Sequence, residues 1–98
     1  MLSRNISTDI IQYLQNKKGK SVDDIAQAMG TSPKHIQNII DKKALLEKEN
    51  IDIYLKNTNI QFWQFALEHI QMKHLPEKVK KRIFLCKKIY DKIKNKKT

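Results

Sequence analysis

The sequence predicts a small all-α domain of five to six helices, with a sharp corner between two short helices near its start and an extra basic helix at its end. Three observations carry this. Apolar residues recur at helical spacing almost everywhere, and strict alternation is hard to find. Two glycines and two prolines in 98 residues leave little material for hairpin turns. That length suits one domain and leaves no room for a second core of useful size.

The first helix is expected over about Ser7 to Asn16, with Ile10, Ile11 and Leu14 facing inward. "KKGK" then breaks it, Gly19 being the natural left-handed stop. Ser21 caps the second helix, and Asp23 and Asp24 fall in its first turn, where the helix dipole favours carboxylates. Its inner stripe is Ile25, Ala26 and Met29, and Gly30 ends it. Ser32 caps the third helix, whose first residue is Pro33, the position proline tolerates best. Ile36, Ile39 and Ile40 form its inner face. A shorter helix is expected over about Asn50 to Lys56, followed by the turn "NTN". Thr58 and Gln61 have capping-box spacing for the fifth helix, with Asn59 competing as the cap. That helix, "IQFWQFALEHIQMK", should run to the Leu75–Pro76 junction. The last helix starts near Pro76 and ends within "KIKNKK".

Charge is unevenly placed. The formal net charge is +10, made of +3 over residues 1–43, −2 over 44–72 and +9 over 73–98. Such a balance favours an anionic partner. The lone Cys86 rules out an intramolecular disulfide and fits a reducing cytoplasm. No apolar run approaches membrane-spanning length, so no membrane partner is expected. "MLSRNISTDI" lacks the apolar core of a secretory signal.

The corner has a readable pattern. In the twenty residues from Val22 to Asp41, aliphatics fall at the fourth, eighth, fifteenth and eighteenth positions: Ile25, Met29, Ile36 and Ile39. Two helices crossing steeply need a small side chain where they come closest, which Ala26 supplies. The corner needs a residue comfortable at positive φ, which Gly30 supplies. On these residues, "SVDDIAQAMGTSPKHIQNI" resembles the helix-turn-helix of the phage repressor and Cro-like (Xre) family of bacterial regulators. "IIQYLQNKKGK" is similar to that family's first helix and basic lead-in, and "IDIYLKNTNIQFWQF" to the helix and turn that close its domain. The resemblance covers about residues 6 to 70. Thr31 stands where the family usually has an aliphatic, and Pro33 where it often has a polar residue. The resemblance implies sequence-specific binding of double-stranded DNA and transcription regulation. Repression by occlusion of a promoter is the simplest mechanism expected of a chain with no separate effector domain, with activation left open. Residues 1–75 would form the DNA-binding domain, and 76–98 a basic amphipathic helix in the same domain or a dimerisation element.

In this motif the N-terminal part of the second helix enters the major groove. Ser32, Lys34, His35, Gln37 and Asn38 are therefore the base-reading candidates. Phosphate anchoring would come from the backbone N–H groups of Ser21 and Val22 and from Lys17, Lys18, Lys20, Lys42 and Lys43. Asp41 would repel phosphate and is expected at the edge or paired with a lysine.

"FWQFAL" is apolar around too much of its helix for one core to hide. Core packing is one reading; the other, which does not exclude it, makes part of this surface a homodimer interface, with Phe62, Trp63 and Phe65 as its candidates. Val79, Ile83, Cys86, Tyr90 and Ile93 recur at alternating spacings of four and three, an a/d seam that would add Ile83 and Tyr90 to that interface. A two-fold dimer would match a palindromic or direct-repeat site. The antitoxin half of a toxin–antitoxin pair would share this fold and add a protein partner. From a different class, the chain could be a helical module whose basic tail binds RNA or acidic partners. His35, His69, His74 and Cys86 have no recognised metal spacing, so neither a metal nor a cofactor is expected. With no phosphate-binding glycine loop and no triad-like nucleophile, no enzyme is expected.

Overall fold

The computed structural model describes residues 2–96, with side chains to Lys94, so the last two residues of the expected basic tail lie outside the described residues. The described residues form six α-helices and one 3-10 turn, with no strand among them. The helices are α1 (Arg4–Asn16), α2 (Val22–Ala28), α3 (Pro33–Ile40), α4 (Lys48–Thr58), α5 (Phe62–His69) and α6 (Glu77–Lys96). None of them is long and apolar enough to cross a membrane. Helix α1 touches α2, α3 and α5, while α2 packs on α3 and α4, and α5 on α6. One core joins them, built from Ile10, Ile11, Leu14, Ile25, Met29, Ile36, Leu46, Phe65 and Ile83 among others.

Four element boundaries differ from the sequence expectation, each for a local reason. Helix α1 begins at Arg4 because the Ser3 hydroxyl accepts the Ile6 N–H. Ser7 is instead buried, and its hydroxyl accepts the Leu46 N–H across the core at 3.1 Å. Helix α4 starts earlier and runs longer, its N-terminus closed by the Glu47 N–H donating to Asn50 Oδ1. Thr58 is not a cap for α5, since its hydroxyl donates to the Tyr54 carbonyl within α4. Asn59, at φ 56°, ends α4 in the left-handed region. Gln61 takes the cap position of α5.

The fourth difference is the largest. Helix α5 stops at His69, and Ile70 is extended, whereas the apolar spacing predicts continuation toward Leu75. The cause lies 62 residues away in sequence, on α1. The buried Asp9 carboxylate accepts the Gln71 backbone N–H at 3.1 Å and the Gln71 side-chain amide at 3.2 Å, and it also bonds His74 Nδ1. Capture of that N–H by a charged acceptor replaces the next intrahelical bond.

Candidate nucleic-acid interface

The corner at α2–α3 is built as its residue types demand. Helix α2 has a reciprocal N-terminal box, with the Ser21 hydroxyl accepting the Asp24 N–H and the Asp24 carboxylate accepting the Ser21 N–H. Gly30 turns the chain at φ +66°, and the Thr31 N–H returns to the Ala26 carbonyl at 2.9 Å. The Ser32 hydroxyl then accepts the His35 N–H, and Pro33 opens α3.

Helix α4 braces this corner from behind. Asn50 donates its amide to the Met29 carbonyl at 3.2 Å, and Asn57 donates to the Ala28 carbonyl at 3.0 Å. Both satisfy carbonyls that the end of α2 leaves without an intrahelical partner. Ile53 closes over Gly30, so a Cβ there would stand 2.8 Å from its terminal methyl. No local spacing rule reveals these three roles, because each joins residues 21 to 29 apart in sequence.

Helix α3 is two-sided. Ile36 and Ile39 are buried against α1 and α2, and Ile40 is half-buried. Ser32, Lys34 and Gln37 are exposed, and His35 and Asn38 are half-buried on the flanks. The five base-reading candidates therefore share one short helix and its cap. Two of them carry internal bonds: Ser32 as the cap, and Gln37 through its amide, which donates to Asp41 Oδ1 at 3.2 Å. Asp41 is exposed at the end of α3, the edge position expected of it, and it bonds a glutamine instead of a lysine.

Among the phosphate-anchoring candidates, Lys17, Lys18, Lys20, Ser21, Lys42 and Lys43 are exposed and Val22 is half-buried, but the Ser21 N–H expected to meet phosphate is already donated to the Asp24 carboxylate. Lys18 lies over the Tyr13 ring, 6.0 Å from its centre. Lys18 and Lys20 also line an open cleft of about 890 Å³ with Asp24, Tyr54, Glu68 and His69, where acidic neighbours offset their field. Lys42 and Lys43 sit at the far end of α3. There the Lys43 N–H returns to Asn38 and the Lys42 N–H to Ile39, a Schellman closure with Lys42 at φ +64°. Arg4, not foreseen in this role, donates from Nη1 to the Lys42 carbonyl at 2.7 Å and adds a guanidinium beside the two lysines.

A left-handed lysine is strained by about 1–2 kcal/mol relative to glycine, part of which is offset by glycine's greater freedom when unfolded. Lys42→Gly is accordingly expected to stabilise the fold by roughly 0.5–1 kcal/mol. A higher urea midpoint checks this. A lower midpoint would show that the lysine side chain contributes more than its backbone costs.

The expected self-interface needs correction. Phe65 and Ile83 are each only 1% exposed and belong to the chain's own core, so neither can face a second copy. Phe65 stacks on His69 with ring centres 4.5 Å apart, and Ile83, together with the partly buried Val79, ties α6 to the core. Trp63 is half-buried against Tyr90, at 5.3 Å between rings. Only Phe62 and Tyr90 of the five remain largely open.

His69 is buried in the core. Nδ1 faces the Phe65 carbonyl at 3.0 Å, which can only accept, so Nδ1 carries the proton. Nε2 then accepts the Tyr54 hydroxyl at 2.9 Å. Burial lowers the His69 pKa below the ordinary histidine range and Lys18 adds to this, against the opposing pull of the Phe65 carbonyl and Glu68. Burial, with Glu68 and Tyr13, raises the Tyr54 pKa, which keeps its phenol a donor. Among the described residues no group of three or more His, Cys, Asp or Glu stands together as metal ligands would. In comparisons with protein families, with curated proteins and with solved structures, nothing matches this chain.

Proposed function

We propose that the chain is a sequence-specific double-stranded DNA-binding protein that reads the major groove with α3 and regulates transcription, as a repressor by occlusion. The observation that carries this reading is the standing of α3. Its apolar side is buried, while Ser32, Lys34, Gln37 and Asn38 occupy the open side and flank of one braced helix. Glutamine and asparagine can bond the adenine edge in two places, and lysine can donate to guanine acceptors. The resemblance of residues 6 to 70 to repressor and Cro-like proteins adds weight, as does the net charge of +10.

One of the proposed readers has a cost to meet. Gln37 must exchange its bond to Asp41 for one to a base, so Asn38 and Lys34 supply the larger share of discrimination. A two-point contact to a base is worth about 1–3 kcal/mol. With a duplex chosen for tight binding, Asn38→Ala and Lys34→Ala should each lower the preference over random duplex by roughly 5- to 100-fold. Random-duplex affinity should stay almost unchanged for Asn38→Ala. Lys42→Ala and Lys43→Ala should instead weaken all duplexes alike and flatten the salt dependence. Fluorescence anisotropy at several salt concentrations measures both. Preference that survives both reader substitutions would remove α3 from the reading role.

A further inference from the structure

Among the described residues, the open large apolar side chains are concentrated on α6 between Phe84 and Ile93. Leu85, Ile89, Tyr90 and Ile93 are 59%, 51%, 45% and 54% exposed, and Phe62 of α5 is 48% exposed. At 3.6 residues per turn, Leu85, Ile89 and Ile93 fall on one row, with Cys86 and Tyr90 on the row beside it. The near end of this stripe opens into a cavity of about 210 Å³ between α5 and α6, lined by Phe62, Trp63, Val79, Arg82, Ile83 and Cys86. The a/d seam legible in the sequence is thus used in its first half, at Val79 and Ile83, and open in its second.

Charge decides what fits there. By the same helical geometry Lys81, Lys88 and Lys92 border the stripe on the Leu85 side, and Lys87 and Lys94 border it on the Tyr90 side. All five are exposed. Of the two acidic residues in α6, Glu77 lies in the first turn and bonds Lys80 at 3.2 Å, and Asp91 lies on the opposite side from the stripe. A second copy docking on this face would bring lysine rows against lysine rows at both edges, which opposes self-association. A bilayer is flat on this scale and cannot follow the groove floor at Val79 and Cys86. A helix of about 10 Å diameter can.

We propose that this groove is a docking site for an amphipathic, acidic helix of a partner protein. The partner's apolar side chains seat on Leu85, Ile89, Ile93 and Phe62, and its flanking carboxylates meet the two lysine rows. The site lies on α5–α6 and does not depend on the DNA-binding reading of α3.

Trp63, the chain's one tryptophan, borders the groove and reports occupancy by fluorescence. The full chain is titrated with a synthetic 18-residue helical peptide carrying leucines on one stripe and glutamates at its flanks. A scrambled peptide of the same composition is the control. The expected result is a saturable Trp63 emission shift for the striped peptide, with affinity at least tenfold weaker for the scrambled one. Ile89→Ser should lower the striped peptide's affinity at least tenfold with an unchanged helical circular dichroism spectrum, since Ile89 is half exposed. Three outcomes overturn the proposal. One is equal affinity for both peptides. Another is a Trp63 response to anionic phosphatidylglycerol vesicles but not to the striped peptide. The third is sedimentation as a dimer that Ile89→Ser dissolves.

Discussion

Replacing Gly30 by valine is expected to destabilise the fold by roughly 3–5 kcal/mol, the sum of backbone strain and crowding. Gly30 holds φ +66°, a region that costs an L-residue about 1–2 kcal/mol and a β-branched one more. Its missing Cβ would also meet Ile53 Cδ1 at 2.8 Å and Cγ2 at 3.3 Å. Gly19 provides the internal comparison. It has nearly the same φ, +64°, but nothing within 4 Å of a built Cβ. Gly19→Ala should therefore show the strain alone, about 1–2 kcal/mol. Gly30→Ala should cost somewhat more, because the half-exposed Ile53 methyl must rotate away. Adding Ile53→Ala to Gly30→Ala should recover that excess and leave the strain. Urea unfolding of the four variants separates the two terms. Equal costs at Gly19 and Gly30 would mean that Ile53 does not brace the corner.

The second large effect is at His69. His69→Ala should cost roughly 2–4 kcal/mol, because it removes a buried ring and leaves the Tyr54 hydroxyl without its acceptor. That ring lies 4.2 Å from the Tyr13 ring and 4.5 Å from the Phe65 ring. The same burial makes stability depend on pH. Burial lowers the folded-state pKa of His69 below its unfolded value near 6.5. Between those two values the unfolded chain binds more protons than the folded one, so acid favours unfolding. The contribution is absent above about pH 6.5 and grows as pH falls from there through the folded pKa. His69→Gln should lower stability at neutral pH yet remove this part of the acid slope, read from urea midpoints between pH 7.5 and 5. An unchanged slope in that variant would show that His69 is not the responsible group.

Legibility followed the range of the interactions. The α2–α3 corner was readable because Ser21, Gly30, Ser32 and Pro33 act within a few residues of themselves, and Ile25, Met29, Ile36 and Ile39 mark one face at helical spacing. The start of α3 and the sidedness of its polar residues follow from the same local chemistry. Interactions across the fold were not readable. Asp9 ends α5 through Gln71, Asn50 and Asn57 close α2 from α4, and Arg4 reaches the Lys42 carbonyl. No spacing rule connects such pairs, so the sequence ran α5 through to Leu75 and missed the brace. The aromatic patch shows the same limit. Its excess of apolar faces was plain, but only packing could show that Phe65 and Ile83 are consumed inside while Phe62, Leu85, Ile89 and Ile93 stay open.

The central claim is that the outward side of α3 reads DNA bases. Selection of bound duplexes from a fully random pool tests it most directly, carried out in parallel with the wild-type chain and an Asn38→Ala variant that retains every lysine. The account predicts enrichment of one motif by the wild type, altered or lost at one or two base positions in the variant. A pool bound by the wild type with no motif above the input, or the same motif from both proteins, would contradict it.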